Sequence, residues 1–177
     1  METRINLIEE LNNYCDINNP VGALMLSGEW GCGKTYLIKT KFIPSVKDTY
    51  VFVCISLFGI DSLDKLRVEV KKKWLEKASE FDSLNGTKVS RVADSCRRIF
   101  DTIKDRLPEN WQKKGEVVSS IMDLINFMPI SNRMFEKKVI LVFDDLERTN
   151  ISCTDLLGCI NDYCENQGFN TIIVANE

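Results

Sequence analysis

Gly28-Glu29-Trp30-Gly31-Cys32-Gly33-Lys34-Thr35 decides how this chain is read. It meets every fixed position of the pattern G-x-x-x-x-G-K-[ST], whose glycines let the backbone curl until successive N–H groups face one concavity, a nest for phosphate oxygens. Lys34 adds a full positive charge for β- and γ-phosphates, and the Thr35 hydroxyl can complete the oxygen shell of a Mg²⁺ ion. Nucleotide contacts are therefore expected along Gly28, Glu29, Trp30, Gly31, Cys32, Gly33, Lys34, Thr35 and the adjoining Tyr36. Of the variable positions, Trp30 is expected to pack under the loop rather than stack on a base, and Cys32 to be a small filler rather than a reactive thiol.

The flanks suit such a loop. Val21 to Ser27 reads as a short buried strand leading in, and Lys34 to Phe42 as a helix leading out, its positive dipole end under the phosphates. Upstream, Leu7, Ile8, Leu11 and Tyr14 share one face of a helix over residues 3–14, and Asn18-Asn19-Pro20 turns the chain. Downstream, Pro44 and Ser45 break the helical pattern. Tyr50 to Ser56 is then an apolar run rich in β-branched and aromatic residues, the signature of a parallel strand buried on both faces. Leu57-Phe58-Gly59-Ile60 reads as a turn, and Asp61 or Ser62 as the cap of a helix bearing Leu63, Leu66, Val70 and Trp74 on one face. Lys71-Lys72-Lys73 reads as its solvated side.

Residues 82–136 say least. Val89 to Arg106 has the helical period and Val117 to Met128 is a second apolar segment, shorter than the roughly 20 residues that cross a bilayer. The stretch reads as a helical insertion of about 82–136 within a core of 21–81 and 137–177, all one domain.

Lys137-Lys138-Val139-Ile140-Leu141-Val142-Phe143-Asp144-Asp145 follows, a buried strand that delivers two carboxylates to its carboxyl end, where ligands of open α/β sheets bind. Asp144 is placed to hold Mg²⁺ opposite Thr35, and Asp145 to orient or deprotonate an attacking water. Glu147 competes for that catalytic place, with surface pairing to Arg148 as its other reading. Ser152 or Thr154 caps a helix through Leu156, Leu157, Ile160 and Tyr163, closed at Gln167-Gly168. Asn170 to Asn176 is a further buried strand, and Asn176 at its end is the candidate for aligning the attacking water, as in NTPases with an added strand between the phosphate-loop and acid strands. Lys34 is counted with the catalytic residues as well as the phosphate contacts.

Composition narrows the chemistry. The chain has no histidine, which excludes Ser/His/Asp triads, Cys/His pairs and histidine-bearing zinc sites within it. Its seven cysteines form no C-x-x-C pair and no apolar leader follows Met1, so the expectation is reduced thiols in the cytoplasm. A net charge of −3 gives no indication of nucleic acid as a partner.

The loop, together with Phe143-Asp144-Asp145-Leu146-Glu147-Arg148, resembles the KAP family of P-loop NTPases, which typically shows G-x-W-G-x-G-K-[ST] and D-D-L-[DE]-R. The resemblance implies an α/β fold, a parallel sheet flanked by helices, and ATP with Mg²⁺ as ligands. It also implies a downstream effector or regulatory domain or protein, and a setting that in bacterial members includes bacteriophage exclusion; a homo-oligomer is a separate expectation. Two departures are visible: no segment between the motifs is long enough to span a membrane, and the chain reads as truncated before a fifth strand. The expected function is an ATPase that couples nucleotide state to switching or assembly. A nucleotide-dependent scaffold with little turnover and a small-molecule kinase are the alternatives. A GTPase would need N-K-x-D, and Asn176 is followed by Glu177.

Overall fold

The computed structural model describes residues 6–85 and 130–176. They fall into two compact units, one comprising 6–63 and 131–176, the other containing 64–85 and 130. The expected helices at Val89–Arg106 and Val117–Met128 lie outside the described residues.

The first unit opens with helix α1, Leu7–Asp16, followed by strand β1, Leu24–Gly28. A continuous helical segment, α2, is built from an α-turn Lys34–Tyr36, a π-wound stretch Leu37–Phe42 and a last α-turn Ile43–Val46. Strand β2 is Tyr50–Ser56. Helix α3, Leu63–Asn85, leads into the second unit. Back in the first unit come β3, Arg133–Met134, β4, Lys137–Asp144, a 3₁₀ turn Leu146–Arg148, helix α4, Cys153–Glu165, and β5, Asn170–Asn176.

The sheet runs β1-β5-β4-β2 with every pairing on that path parallel, and β3 adds antiparallel to the start of β4. The last strand is thus inserted between the loop strand and the acid strand. Alternation along the strands sends two sets of apolar side chains to opposite faces. Tyr50, Phe52, Ile140, Val142, Ile172 and Val174 form one core with Leu11 and Cys15 of α1 and Ile38 and Phe42 of α2. On the other face Phe143 meets Tyr163 of α4, which packs edge-on against Phe169. Each large side chain buried this way contributes roughly 1.5–3 kcal/mol, and cover on both faces is what a parallel sheet requires.

Polar anchors hold α1 on the sheet. Its last carbonyls would be orphans; Lys138 Nζ donates to Cys15 O at 2.8 Å and Ile17 O at 2.9 Å, and Asn170 Nδ2 to Tyr14 O at 2.8 Å and Ile17 O at 3.1 Å. The Tyr14 hydroxyl donates to Gly22 O and accepts from Thr171 N, both at 2.9 Å.

Several boundaries differ from those expected. α1 runs to Asp16 rather than ending at Tyr14, and it buries Leu11 and Cys15 while Leu7 and Ile8 are each 38% exposed. β1 begins at Leu24, and Val21 and Met25 are exposed, so it is half-covered rather than buried. α2 passes through Pro44 to Val46: proline lacks the N–H a helix uses and crowds the carbonyl four residues back, and the π-wound stretch Leu37–Phe42 widens the helix where that carbonyl lies. The end of the expected insertion is a hairpin, Met134 turning to Lys137 through Phe135 and Glu136 at φ 50° and 65°, a turn geometry usually announced by Asn-Gly. Ser152, not Thr154, caps α4 by accepting from Asp155 N at 3.2 Å.

In the second unit, α3 carries Asp64–Arg67, Glu69–Lys72, Lys73–Glu76 and Lys77–Glu80 pairs along its surface. Such pairs support a helix by about 0.3–0.5 kcal/mol each. Among the described residues no helix is long and apolar enough to cross a membrane.

Candidate functional site

Parallel pairing brings the carboxyl ends of the strands to one edge. Gly28 of β1 stands opposite Asn176 of β5, and Ser56 of β2 opposite Asp144 of β4. The Gly28–Thr35 turn, the Asp144–Arg148 turn and the end of β5 therefore meet at that edge, as the two motifs predict.

Within the loop, Gly31 and Gly33 hold φ of 83° and 92°, and a Cβ at either would meet nothing within 4 Å. Glycine is needed there for its backbone, while the space around it is open. Leu37 N then bonds Gly33 O at 2.8 Å, so helical winding starts directly off the loop. Lys34 is a buried residue, and its ammonium closes the loop on itself, donating to Gly28 O at 2.7 Å and Glu29 O at 2.9 Å. Trp30 does not pack beneath the loop: it is 75% exposed, and Tyr36 is 61% exposed. Cys32 is exposed too, its Sγ 3.5 Å from Lys34 Nζ.

Asp144 is the centre of the polar contacts. Its side chain is 7% exposed, and a carboxylate so deeply placed demands partners. Oδ1 accepts from Thr35 Oγ1 at 3.1 Å and from Asp145 N at 3.1 Å, and Oδ2 accepts from Lys39 Nζ at 2.9 Å. Burial works against the charge on Lys39, but the hydrogen bond and attraction of Asp144 outweigh it and raise its pKa.

The two neighbouring acids face different partners. Asp145 sits in the left-handed region at φ 64°, which turns its carboxylate toward β2, where Ser56 Oγ donates to Oδ2 at 3.0 Å. Arg148 Nε stands 3.6 Å from Asp145 Oδ1 and 3.8 Å from Glu147 Oε1, its guanidinium 5.6 Å from the centre of the Phe58 ring. Glu147 instead faces β5: Asn176 N donates to Oε2 at 3.1 Å and the Asn176 side-chain amide donates to Oε1. Desolvation pushes the Glu147 pKa up, but a hydrogen bond from its own backbone, the two Asn176 donors and Arg148 overcome it and hold the carboxyl below its usual value.

This donor set fits a magnesium nucleotide. Among the described residues no cluster of three or more side chains of the metal-binding types exists, so a cation beside Thr35 and Asp144 would draw its remaining oxygens from water and phosphate, the usual habit of Mg²⁺. Lys39 and Ser56 escaped the sequence reading. The signals were there: Lys39 lies one helical turn beyond Thr35, and Ser56 ends the strand next to the acid strand.

No curated protein matches the chain. The model of the KAP family P-loop domain matches it over residues 4–177, and the chain belongs to that family. Nucleotide binding and hydrolysis are the family's general chemistry.

Proposed function

We propose that this KAP family domain binds ATP as its Mg²⁺ complex on the Gly28–Tyr36 loop, hydrolyses it, and uses the nucleotide state to switch conformation or assembly. The observation that carries the reading is the 3.1 Å contact between Thr35 Oγ1 and Asp144 Oδ1, which joins the end of the loop to the end of the acid strand. In this reading the loop amides and Lys34 hold the phosphates, Lys34 exchanging backbone carbonyls for phosphate oxygens, and Thr35 and Asp144 hold the metal. The bound Mg²⁺ would neutralise charge on the β- and γ-phosphates.

Asp145 is the better candidate for taking the proton of the attacking water. Both oxygens of Glu147 are engaged by Asn176 and its pKa is lowered, which makes it a weak base. Among the described residues, the Asp145 carboxylate holds only the Ser56 hydroxyl closely, with Arg148 at longer range. Asn176 then positions water once Glu147 releases its amide. No disulfide joins the described cysteines, which suits a reducing cytoplasm. Preference for ATP over GTP rests on the resemblance and on Glu177, not lysine, following Asn176, whereas an effector partner and a role in bacteriophage defence rest on the resemblance alone.

Phosphate release with ATP and Mg²⁺ tests this reading. Lys34→Ala and Asp145→Asn should each lose about 10²-fold or more in turnover, and Glu147→Gln much less. Wild-type protein that binds ATP without turning it over would instead be a nucleotide-dependent scaffold. Phosphate transfer to an added small molecule, with little release to water, would make it a kinase.

A further inference from the structure

We propose that Lys39 is a resident counter-ion on Asp144 that yields to the incoming divalent cation, so that its charge sets how much Mg²⁺ the nucleotide site requires. The proposal rests on Thr35 and Asp144 being the metal-holding pair. Lys39 Nζ lies 2.9 Å from Asp144 Oδ2, and the two partners are unequal: the aspartate side chain is 7% exposed and the lysine side chain 49%. The carboxylate is fixed in the protein, whereas the ammonium sits at the water side on a flexible stem, so the lysine is the partner able to leave.

Position on the helix explains why this lysine reaches the site. Lys39 lies in the π-wound stretch Leu37–Phe42, whose closing bond runs from Ile43 N to Ile38 O, five residues back. Residues four apart on one helical segment lie on the same face. Thr35 and Lys39 are such a pair, and both touch Asp144.

Electrostatics supplies the consequence. Among the described residues, Asp144 without a cation would be a buried charge with only neutral donors, Thr35 Oγ1 and Asp145 N, so Lys39 stabilises the metal-free site. A dication beside the same carboxylate repels the ammonium at contact range, so Lys39 must swing into water before metal is held fully. Each metal-binding event therefore breaks one ion pair, and the apparent affinity for Mg²⁺ is reduced by that pair's strength.

The experiment measures binding of a fluorescent ribose-labelled ATP analogue against Mg²⁺ concentration in wild type, Lys39→Met, Lys39→Gln, Lys39→Arg and Asp144→Asn. Removing the charge should lower the Mg²⁺ needed for half-maximal binding about three- to tenfold, the range expected for a half-exposed pair, in both Met and Gln variants. Lys39→Arg, which keeps the charge, should stay within about twofold of wild type. Thermal melts should agree: without Mg²⁺ the Met variant melts below wild type, and saturating Mg²⁺ with nucleotide closes the gap. An unchanged or higher Mg²⁺ requirement in Lys39→Met and Lys39→Gln, with Asp144→Asn still losing its Mg²⁺ dependence, overturns the role of Lys39 and spares the metal pair. If Asp144→Asn keeps wild-type Mg²⁺ dependence, the metal pair itself is wrong and the proposal goes with it.

Discussion

Thr35 Oγ1 donates to Asp144 Oδ1 across 3.1 Å, although 109 positions separate them in the chain. The bond ties the first turn of α2 to the last residue of β4, and β5 between β1 and β4 sets the spacing. Thr35→Val keeps the shape of the side chain and removes only the donor. Asp144 retains Asp145 N and Lys39, so unfolding in urea should show a loss near 1 kcal/mol. Mg²⁺-dependent phosphate release should fall about 10–100-fold. Turnover within twofold of wild type would remove Thr35 from the metal site.

Glu147 and Asn176 provide a pH test. The folded carboxyl lies below its ordinary value of 4.5, so its contribution to stability is present above that pH and is lost as pH falls through the folded value. Glu147→Gln cannot titrate. Its urea stability should differ from wild type by about 1 kcal/mol or less at pH 7, and the difference should shrink on acidification below pH 4.5. A wild-type advantage that grows on acidification would contradict the pairing.

The site's two motifs were legible because each is local: a loop with glycines at fixed positions, and a run of apolar residues ending in acids. β2 and β5 have the bounds their apolar runs predict, since a strand buried on both faces needs a continuous apolar run and stops where it stops. Features set by tertiary contact were not legible. The shift of α1 toward Asp16 depends on Lys138 and Asn170, far along the chain, binding its last carbonyls. The exposure of Trp30 depends on what surrounds the loop, and an aromatic residue among glycines does not report its surroundings. Glu147 reads in the sequence as an acid competing with Asp145, but its engagement by Asn176 follows from β5 lying beside β4, which pattern alone does not dictate.

Tyr14 and Cys15 predict weakness in alkali. Burial raises Tyr14 from 10.0 to about 12 and Cys15 from 9.0 to about 12. Both groups ionise first in the unfolded chain, so the stability they carry is whole below pH 9 and is lost as pH rises toward 12. Tyr14→Phe removes the hydroxyl that bonds Gly22 O and Thr171 N, an expected loss of about 1–3 kcal/mol at pH 7. Its stability should then fall less steeply than wild type between pH 10 and 12, measured by urea unfolding. Parallel curves for the two proteins would mean that Tyr14 ionises as freely folded as unfolded.

Gly168 joins α4 to β5, and its replacement separates backbone strain from crowding. It sits at φ 69°, where alanine is disfavoured by about 1 kcal/mol, and an added Cβ would lie 2.8 Å from Asn132 Nδ2. That amide donates to Gly168 O at 3.0 Å, so it cannot swing aside without giving up its bond. Gly168→Ala should therefore lose about 2–3 kcal/mol, more than strain alone explains. In Asn132→Ala the bond is already gone and the space is free, so adding Gly168→Ala there should cost only the strain of about 1 kcal/mol. The double-mutant cycle should thus show coupling of at least about 1 kcal/mol, because the two changes share one contact. Additive losses would mean that Asn132 yields freely to the new methyl, leaving backbone conformation as the whole reason for glycine at the turn.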